Sequence, residues 1–330
     1  MAKPYNDDVY QQLHADGFIS DDSFLRINEQ RLNPLFSVHW EIKTILYLGI
    51  MMLTGGIGIL VYKNIDTIGH QIILLFIALL SGGCLAYCFK HKKPFNTAKV
   101  QTPNTFFDYV LLLGTISLVT FVGYLQYQYN VFGSNYGMAT FIPMLALFYI
   151  AYSFDHVGIL NMAIANLGVW MGVSVTPKQL LAEGDFHSQH MIFTYLGVGL
   201  LLLMLAWLTQ KFIIKKHFKF SYQHYGIHIS FVSLLAGYIF NYESGASMLW
   251  LLGISLLATI IFKDAYKEKS FYFLLITVLY SYIAISCVLV RGLIAMDNIG
   301  AFYLMFMYFI GSAVGLIFLL IHLNKKMKAA

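Results

Sequence analysis

The stretch TILYLGIMMLTGGIGILVY, residues 44–62, decides the fold of this chain. It runs for 19 residues without a charge. As an α-helix it would be about 28 Å long, close to the roughly 30 Å hydrocarbon core of a bilayer. Lys63, Asn64 and Asp66 follow it at once. The stretch therefore predicts a first membrane span, placed after a polar N-terminal segment.

The composition of the whole chain agrees with a membrane protein. Of 330 residues, 58% are hydrophobic and 11% are charged, and the mean hydropathy is +0.68. These values are typical of polytopic membrane proteins. The net charge of +5 comes from Lys and Arg that lie in clusters between apolar runs, and not in a solvated basic stripe, so we expect no nucleic-acid partner.

Nine further apolar runs follow the first one, and together they predict an all-α membrane protein with about ten transmembrane helices in residues 44–324. Helices are favoured over barrel strands because the runs are long, lack a period of two, and must satisfy their own backbone in lipid. The nine runs are His70–Phe89, Tyr109–Tyr127, Gly137–Ser153, Val157–Val175, Met191–Trp207, Tyr225–Phe240, Ala246–Phe262, Phe271–Val290 and Gly300–Leu323.

The polar segment of residues 1–43 is net acidic and predicts a short soluble helical hairpin. A first helix would start near Asn6 and stop at Gly17, because glycine favours the left-handed conformation that ends helices. Ser20 would begin a second helix as its N-cap. The hairpin is interpreted either as a cap packed on the cytoplasmic face or as a docking module for a cytoplasmic protein.

The distribution of positive charge predicts the orientation. With ten spans and a cytoplasmic N-terminus, eighteen of the 21 Lys and Arg residues lie on the cytoplasmic side, as the positive-inside rule requires. The exceptions are Lys63, Lys178 and Arg291. We therefore expect a multi-pass protein of the bacterial inner membrane with both termini in the cytoplasm, ending in a basic tail at residues 325–330.

Polar residues inside the spans are the first candidates for function, because they are costly in hydrocarbon. No Lys, Arg, Asp or Glu lies within the ten spans. Asn161, Asn166 and Trp170 lie in one span; Asn166 and Trp170 share a helix face, and Asn161 lies about 140° away. An amide here either binds a solute in a cavity or makes an interhelical hydrogen bond of about 1 kcal/mol.

The predicted outer loop holds a cluster with the composition of a metal or proton-relay site: Glu183, Asp185, His187 and His190. Its spacing fits no established zinc site, which needs a defined third ligand and a fixed second shell. A solvated loop is the favoured interpretation. No metal site, cofactor or catalytic residue is predicted, since the chain has no nucleophile elbow, HExxH or paired catalytic carboxylates.

The glycines of the first span, Gly55, Gly56 and Gly58, are not a phosphate-binding loop, because they lie inside an apolar helix and follow no strand. We expect them to permit close approach of another helix. Beyond the span, Asn64 and Asp66 are predicted to cap the start of the next helix, near Thr67 to His70.

Two segments resemble a known family. LHADGFIS, residues 13–20, is similar to the short hairpin that precedes the membrane in the bacterial domain-of-unknown-function 2157 family. The glycine-rich first helix with its exit Asn64-Ile65-Asp66 is similar to that family's first helix, although Ile65 stands where Trp is common. The resemblance covers about the first seventy residues and implies a polytopic inner-membrane protein without an assigned activity.

Three functions remain open at this point. The ten helices and short loops favour a transporter-like protein that binds or moves a neutral or lipophilic small molecule within the lipid bilayer, by analogy of architecture. The alternative is a non-transporting scaffold whose acidic hairpin docks a cytoplasmic protein. A membrane-embedded enzyme acting on lipid is the third hypothesis, with the outer-loop cluster as its candidate site.

Overall fold

The computed structural model describes residues 13–32, 39–63, 69–175, 189–296 and 298–329. The chain divides into two compact units, residues 1–67 and 68–330. Within the described ranges all regular secondary structure is helical, so the predicted all-α class is confirmed.

The first unit contains the predicted turn. A helix ends at Ala15, and Gly17 adopts φ 76°. The N–H of Phe18 donates to the carbonyl of Leu13 (2.9 Å) and the N–H of Gly17 to that of His14 (3.1 Å). These two bonds form a Schellman motif, in which glycine takes the left-handed position. The chain therefore stops its first helix at the glycine that the sequence indicated.

The second helix of the hairpin, α1, runs from Asp21 to Leu32. Ser20 precedes it, and its Oγ accepts from the N–H of Ser23 (3.4 Å), as an N-cap does. His14 joins the two arms, because its Nε2 lies 2.8 Å from Asp21 and its ring stacks on Phe24 with centroids 4.3 Å apart. The start of the predicted first helix, before Leu13, lies outside the described residues.

The helix of the opening stretch, α2, runs from His39 to Lys63. It begins five residues before the apolar run, since residues 39–43, which include three ionisable side chains, are also helical. Its apolar part is Thr44–Leu60. Asn64 and Asp66 lie outside the described residues, and their predicted capping role stays a prediction.

The second unit supplies the helices for the nine remaining predicted spans. Each predicted run coincides with one helix over most of its length. The helices are α3 (His70–His91), α4 (Thr105–Tyr129), α5 (Tyr136–Phe154), α6 (Val157–Val175), α7 (Gln189–Phe212), α8 (Lys219–Phe240), α9 (Ser247–Lys267), α10 (Phe271–Ile294) and α11 (Ile299–Ala329).

Seven of the described helices are long and apolar enough to cross a membrane: α3, α4, α5, α7, α9, α10 and α11. Two more are apolar but shorter, over Thr44–Leu60 in α2 and Val157–Gly172 in α6. Helix α8 falls in neither group among the described residues, and its polar residues explain why: Lys219, Gln223 and His228 are interspersed with its apolar ones. The protein is therefore a membrane protein, with seven candidate spans among its described residues.

Two hydrophobic clusters make up the core of the second unit. The first joins α3 to α8 around Leu111, Leu147 and Leu160. The second joins α7 to α11 around Phe231, Trp250 and Leu274. Helices α4, α5 and α6 meet within the first cluster, and this meeting places the candidate site.

Close helix approach in the core depends on glycine at several places, and Gly199 and Gly237 are two examples. A Cβ added to Gly199 of α7 would lie within van der Waals distance of Ser230 on α8, at 2.8 Å from its backbone nitrogen. A Cβ added to Gly237 of α8 would meet the Trp250 ring of α9, with its Cζ3 at 2.6 Å. Both distances are shorter than the contacts that real Cβ atoms make. The backbone of each glycine therefore lies directly against a residue of the neighbouring helix.

Candidate functional site

A cavity of about 460 Å³ lies between α4, α5 and α6. Its volume is within the range of small-molecule sites, about 300–1,000 Å³. It includes Asn166, one of the three residues that the sequence singled out. The lining is Val119, Gly123, Gln126, Tyr127, Asn130, Tyr136, Ala139, Thr140, Pro143 and Asn166.

Asn166 of α6 reaches across to α5. Its Nδ2 donates to the backbone carbonyl of Thr140 at 3.3 Å, so the amide makes the interhelical hydrogen bond that was one of its two predicted roles. The same side chain also lines the cavity. Its position is therefore compatible with both predicted roles, joining two helices and contacting a solute. Within the described part of the chain, the structure gives no hydrogen bond to Asn166 Oδ1.

Pro143 adds a second acceptor to the cavity wall. It lies inside α5 and has no N–H, so the carbonyl four residues earlier, that of Ala139, loses its helical donor. Ala139 and Pro143 both line the cavity. In a bilayer a backbone carbonyl released in this way is satisfied by a side chain, a water or a ligand. The proline therefore leaves one carbonyl without its helical donor on a helix that lines the cavity.

Gln126 lines the cavity near the end of α4. Its Nε2 donates to Asn130 Oδ1 (2.8 Å) and to the carbonyl of Gly133 (3.1 Å), and its Oε1 accepts from the N–H of Phe132 (2.9 Å). Asn130 ends α4 in the left-handed conformation, φ 48° and ψ 42°, which asparagine tolerates better than most residues. The buried amide of Gln126 thus fixes the loop between α4 and α5.

The chemistry of the cavity is neutral. Its described lining consists of amides, a threonine, two tyrosines, backbone groups and apolar side chains, without Asp, Glu, Lys, Arg or His. Amides offer both donors and acceptors. Such a lining can hydrogen-bond an uncharged polar group, and it provides no counter-ion for a charged one.

The other two residues of the predicted group lie elsewhere. Trp170 packs on Phe141 of α5, with ring centroids 4.9 Å apart, and is half-buried. Asn161 is half-buried, and its Oδ1 is buried without a hydrogen-bond partner among the described residues. Of the three, the structure brings only Asn166 into the cavity.

The outer-loop cluster lies mostly outside the described residues, since Glu183, Asp185 and His187 are not described. His190 is exposed in the first turn of α7, and its carbonyl accepts from Thr194 Oγ1 at 2.9 Å. In the described ranges no group of three or more His, Cys, Asp or Glu side chains could hold a metal ion.

The glycines of α2 can be described only within the first unit. A Cβ added to Gly55, Gly56 or Gly58 meets no atom of the described residues of that unit within 4 Å. Their expected role in helix packing stays a prediction.

A second polar cluster was missed by the sequence reasoning. Asp155 follows α5 in the left-handed conformation, and its side chain is 2% exposed. Lys215 Nζ lies 3.1 Å from Asp155 Oδ2, with a side chain 1% exposed. His217 Nε2 donates to Asp155 Oδ1 (2.5 Å), and the N–H of Val100 donates to Oδ2 (2.5 Å).

This cluster ties three connecting segments together. Lys215 also donates from its backbone N–H to the carbonyl of Thr97 (2.8 Å) and from Nζ to that of Ala98 (3.3 Å), and its ammonium lies 5.0 Å from the Phe95 ring. The segments after α3, α5 and α7 are thereby joined by one buried carboxylate. The sequence predicts only that Asp155 and Lys215 lie in connecting segments on the cytoplasmic side. The only signal was the isolated acid in a loop that faces basic loops on the predicted cytoplasmic side.

The comparisons with known proteins agree with the resemblance seen in the sequence. Residues 11–160 match the family model described as a predicted membrane protein (DUF2157). No curated protein matches the chain, and no solved structure matches it. The match extends well beyond the seventy residues expected, and it includes all lining residues of the cavity except Asn166. Residues 11–160 of this chain are therefore similar to the DUF2157 family of predicted membrane proteins.

Proposed function

We propose that the protein binds a small neutral molecule in the cavity between α4, α5 and α6, and that it does so as a transporter-like membrane protein. The observation that carries the proposal is the convergence of Asn166 and the Pro143-released carbonyl of Ala139 on one cavity of about 460 Å³. Ligand sites of this kind combine apolar walls with a few placed polar groups.

Charge supports a neutral molecule over an ion. The described cavity lining has no ionisable group that is charged near neutral pH, and the ten predicted spans hold no Asp, Glu, Lys or Arg at mid-depth. An ion in low dielectric would need a counter-charge or several coordinating groups. An uncharged molecule with a hydroxyl or amide needs only the hydrogen bonds that the lining offers.

Solute flux and binding test this proposal. The purified protein in liposomes would be assayed for uptake of radiolabelled glycerol, urea and glucose, against protein-free liposomes. Asn166→Leu should lower flux of the responding solute at least about fivefold, the size of one lost hydrogen bond. Asn161→Leu, the same change on the same helix outside the cavity, should leave flux within about twofold. Equal flux in protein and empty liposomes for all three solutes, or equal loss in both variants, would contradict the proposal.

The orientation forms part of the proposal. We infer that both termini lie in the cytoplasm of a bacterial cell and that the cavity opens on the opposite face, at the end lined by Asn130. Support comes from the eighteen basic residues on the tail's side and from helices at all ten predicted positions. C-terminal fusions to alkaline phosphatase and to green fluorescent protein test it, and phosphatase activity of the first would contradict it.

A scaffold function remains the second candidate because of one observation on the hairpin. Phe18 and Leu25 are large apolar residues that are 80% and 62% exposed, on a segment that is otherwise acidic. Exposed apolar residues of this kind are used in protein interfaces. If the scaffold function holds, a Phe18→Ser, Leu25→Ser variant should lose cytoplasmic proteins that cross-link to wild type in cells. An unchanged cross-linking pattern would remove this candidate.

A further inference from the structure

A second and larger cavity lies far from the neutral one along the chain. It is a groove of about 510 Å³ between α9, α10 and α11. Its lining is mostly apolar, with a few hydroxyl groups, and Lys263 lies at one end. Its lining includes Thr259, Lys263, Thr277, Ser281, Ser312 and Gly315.

The hydroxyl groups of the groove are already satisfied by protein. Thr259, Thr277 and Ser281 each donate to the carbonyl four residues earlier on their own helix, at 2.7–2.8 Å. Ser312 Oγ lies 2.9 Å from Tyr282 Oη, which joins α10 to α11. Because these donors are used, the groove presents a surface suited to hydrocarbon and not to a polar solute.

Helix α11 leaves the groove accessible from the lipid. Between Phe302 and Lys326 of α11, no residue is buried. A Cβ added to Gly315 meets no atom within 4 Å among the described residues. The hydrocarbon of the bilayer is therefore the natural medium beside this helix, and an acyl chain can enter the groove from the side.

Positive charge surrounds the end of the groove on the predicted cytoplasmic side. Lys263 lines this end, and Lys267 lies one turn further along α9. Lys326 lies two turns beyond Leu319 on the same face of α11. Neither Lys263 nor Lys267 has an ion-pair partner in the part of the chain that the structure describes.

The nearby acids do not cancel this charge. Glu268 Oε2 lies 3.1 Å from Lys219 Nζ and Glu268 Oε1 accepts from Gln210, while Asp264 Oδ2 accepts from Gln223. Both carboxylates are thus engaged by α7 and α8. The lysines of α9 and α11 remain for an anion at the membrane surface, where each contributes about a fivefold increase in affinity for anionic lipid.

From this combination we propose that the groove between α9, α10 and α11 is a binding site for an anionic glycerophospholipid. One acyl chain lies along Gly315 and Ser281, and the phosphate lies against Lys263. The proposal is independent of the neutral-solute site, because it uses a different cavity and different helices.

Lipid-dependent thermal stability and native mass spectrometry test the proposal. Delipidated full-length protein in detergent would be mixed with phosphatidylglycerol or phosphatidylcholine of identical acyl chains, or with oleate. Phosphatidylglycerol should raise the melting temperature more than phosphatidylcholine does, and it should remain bound in the mass spectrum. Equal effects of the two phospholipids, or an equal effect of oleate, would overturn the proposal.

Matched variants locate the site. Gly315→Phe fills the groove and should abolish the phosphatidylglycerol effect, while Gly311→Phe, on the same exposed helix but outside the groove, should keep it. Lys263→Gln should weaken phosphatidylglycerol binding about fivefold, and Lys90→Gln, an exposed lysine at the end of α3, should leave it unchanged. Retention of wild-type binding by folded Gly315→Phe would overturn the proposal.

Discussion

Replacing Asp155 by Asn tests the buried ion pair at the ends of α5 and α7. The side chains of Asp155 and Lys215 are 2% and 1% exposed, and their charged atoms are 3.1 Å apart. The substitution keeps the shape of the side chain and removes its charge. Lys215 would then be a buried ammonium without a carboxylate partner, beside the Ala98 carbonyl and the Phe95 ring.

The expected magnitude is large. Removing one partner of a buried pair leaves an uncompensated charge and typically costs about 3–5 kcal/mol. Asparagine also keeps only one of the two carboxylate oxygens that accept from His217 and from Val100. We therefore expect Asp155→Asn to lower the free energy of unfolding by about 3–5 kcal/mol. Glu243→Gln, an exposed carboxylate in the same unit, should change it by less than about 0.5 kcal/mol.

The measurement is reversible unfolding in mixed micelles, followed by tryptophan fluorescence. A double variant separates charge from shape: adding Lys215→Met to Asp155→Asn removes the orphaned ammonium and should recover part of the loss. Two results would contradict the buried pair that the distances indicate. Either Asp155→Asn is as stable as Glu243→Gln, or the double variant is destabilised by the full sum of the two single-variant losses.

Three further predictions concern single contacts in the second unit. Gln126→Leu removes the three hydrogen bonds that fix the loop after α4. It should lower the free energy of unfolding by about 1–3 kcal/mol, because buried partners are left unsatisfied. An unchanged free energy of unfolding would show that these bonds do not hold the loop. Gly237→Ala places a Cβ at 2.6 Å from Trp250 Cζ3 and should destabilise by about 1–3 kcal/mol through overpacking, whereas Gly292→Ala, with open space around it, serves as control in the same melting assay. Burial by itself would raise the pKa of Glu268, but the hydrogen bond and charge of Lys219, with the hydrogen bond from Gln210, hold this pKa below its ordinary value of 4.5. The ionised carboxylate therefore stabilises the folded state above pH 4.5. As the pH falls below 4.5, wild type should lose more stability than Glu268→Gln does.

Much of the fold could be predicted because hydropathy and helix length are local properties. Every predicted span coincides with a helix, and Gly17 and Ser20 marked their turn through backbone preferences that need no distant partner. Helix ends in polar sequence were less predictable. Helix α11 continues past Leu323 to Ala329, because lysines and alanine sustain a helix in water as well.

The site was only partly predictable, because its residues come together through contacts between distant parts of the chain. Asn166 could be singled out because it is an amide in an apolar run. Gln126, which lines the same cavity, lies near the end of a different helix, and no sequence pattern marks it. The Asp155 cluster depends on left-handed backbone at Asp155 and at Lys215, with φ of 59° and 50°. No local pattern indicates that these two turns face each other, because only the packing of α5 to α8 brings them together.

The accessibility of position 166 to water tests the central claim most directly. In a background with Cys84, Cys88 and Cys287 replaced by alanine, Asn166→Cys and Asn161→Cys would be exposed to a membrane-impermeant charged thiol reagent in right-side-out vesicles. A cavity that opens opposite the termini predicts modification of Asn166→Cys and none of Asn161→Cys, with protection of the former by a solute that shows flux. If Asn166→Cys stays unmodified from that side while both variants are folded, position 166 lies in a sealed helix seam and the proposed solute site is wrong.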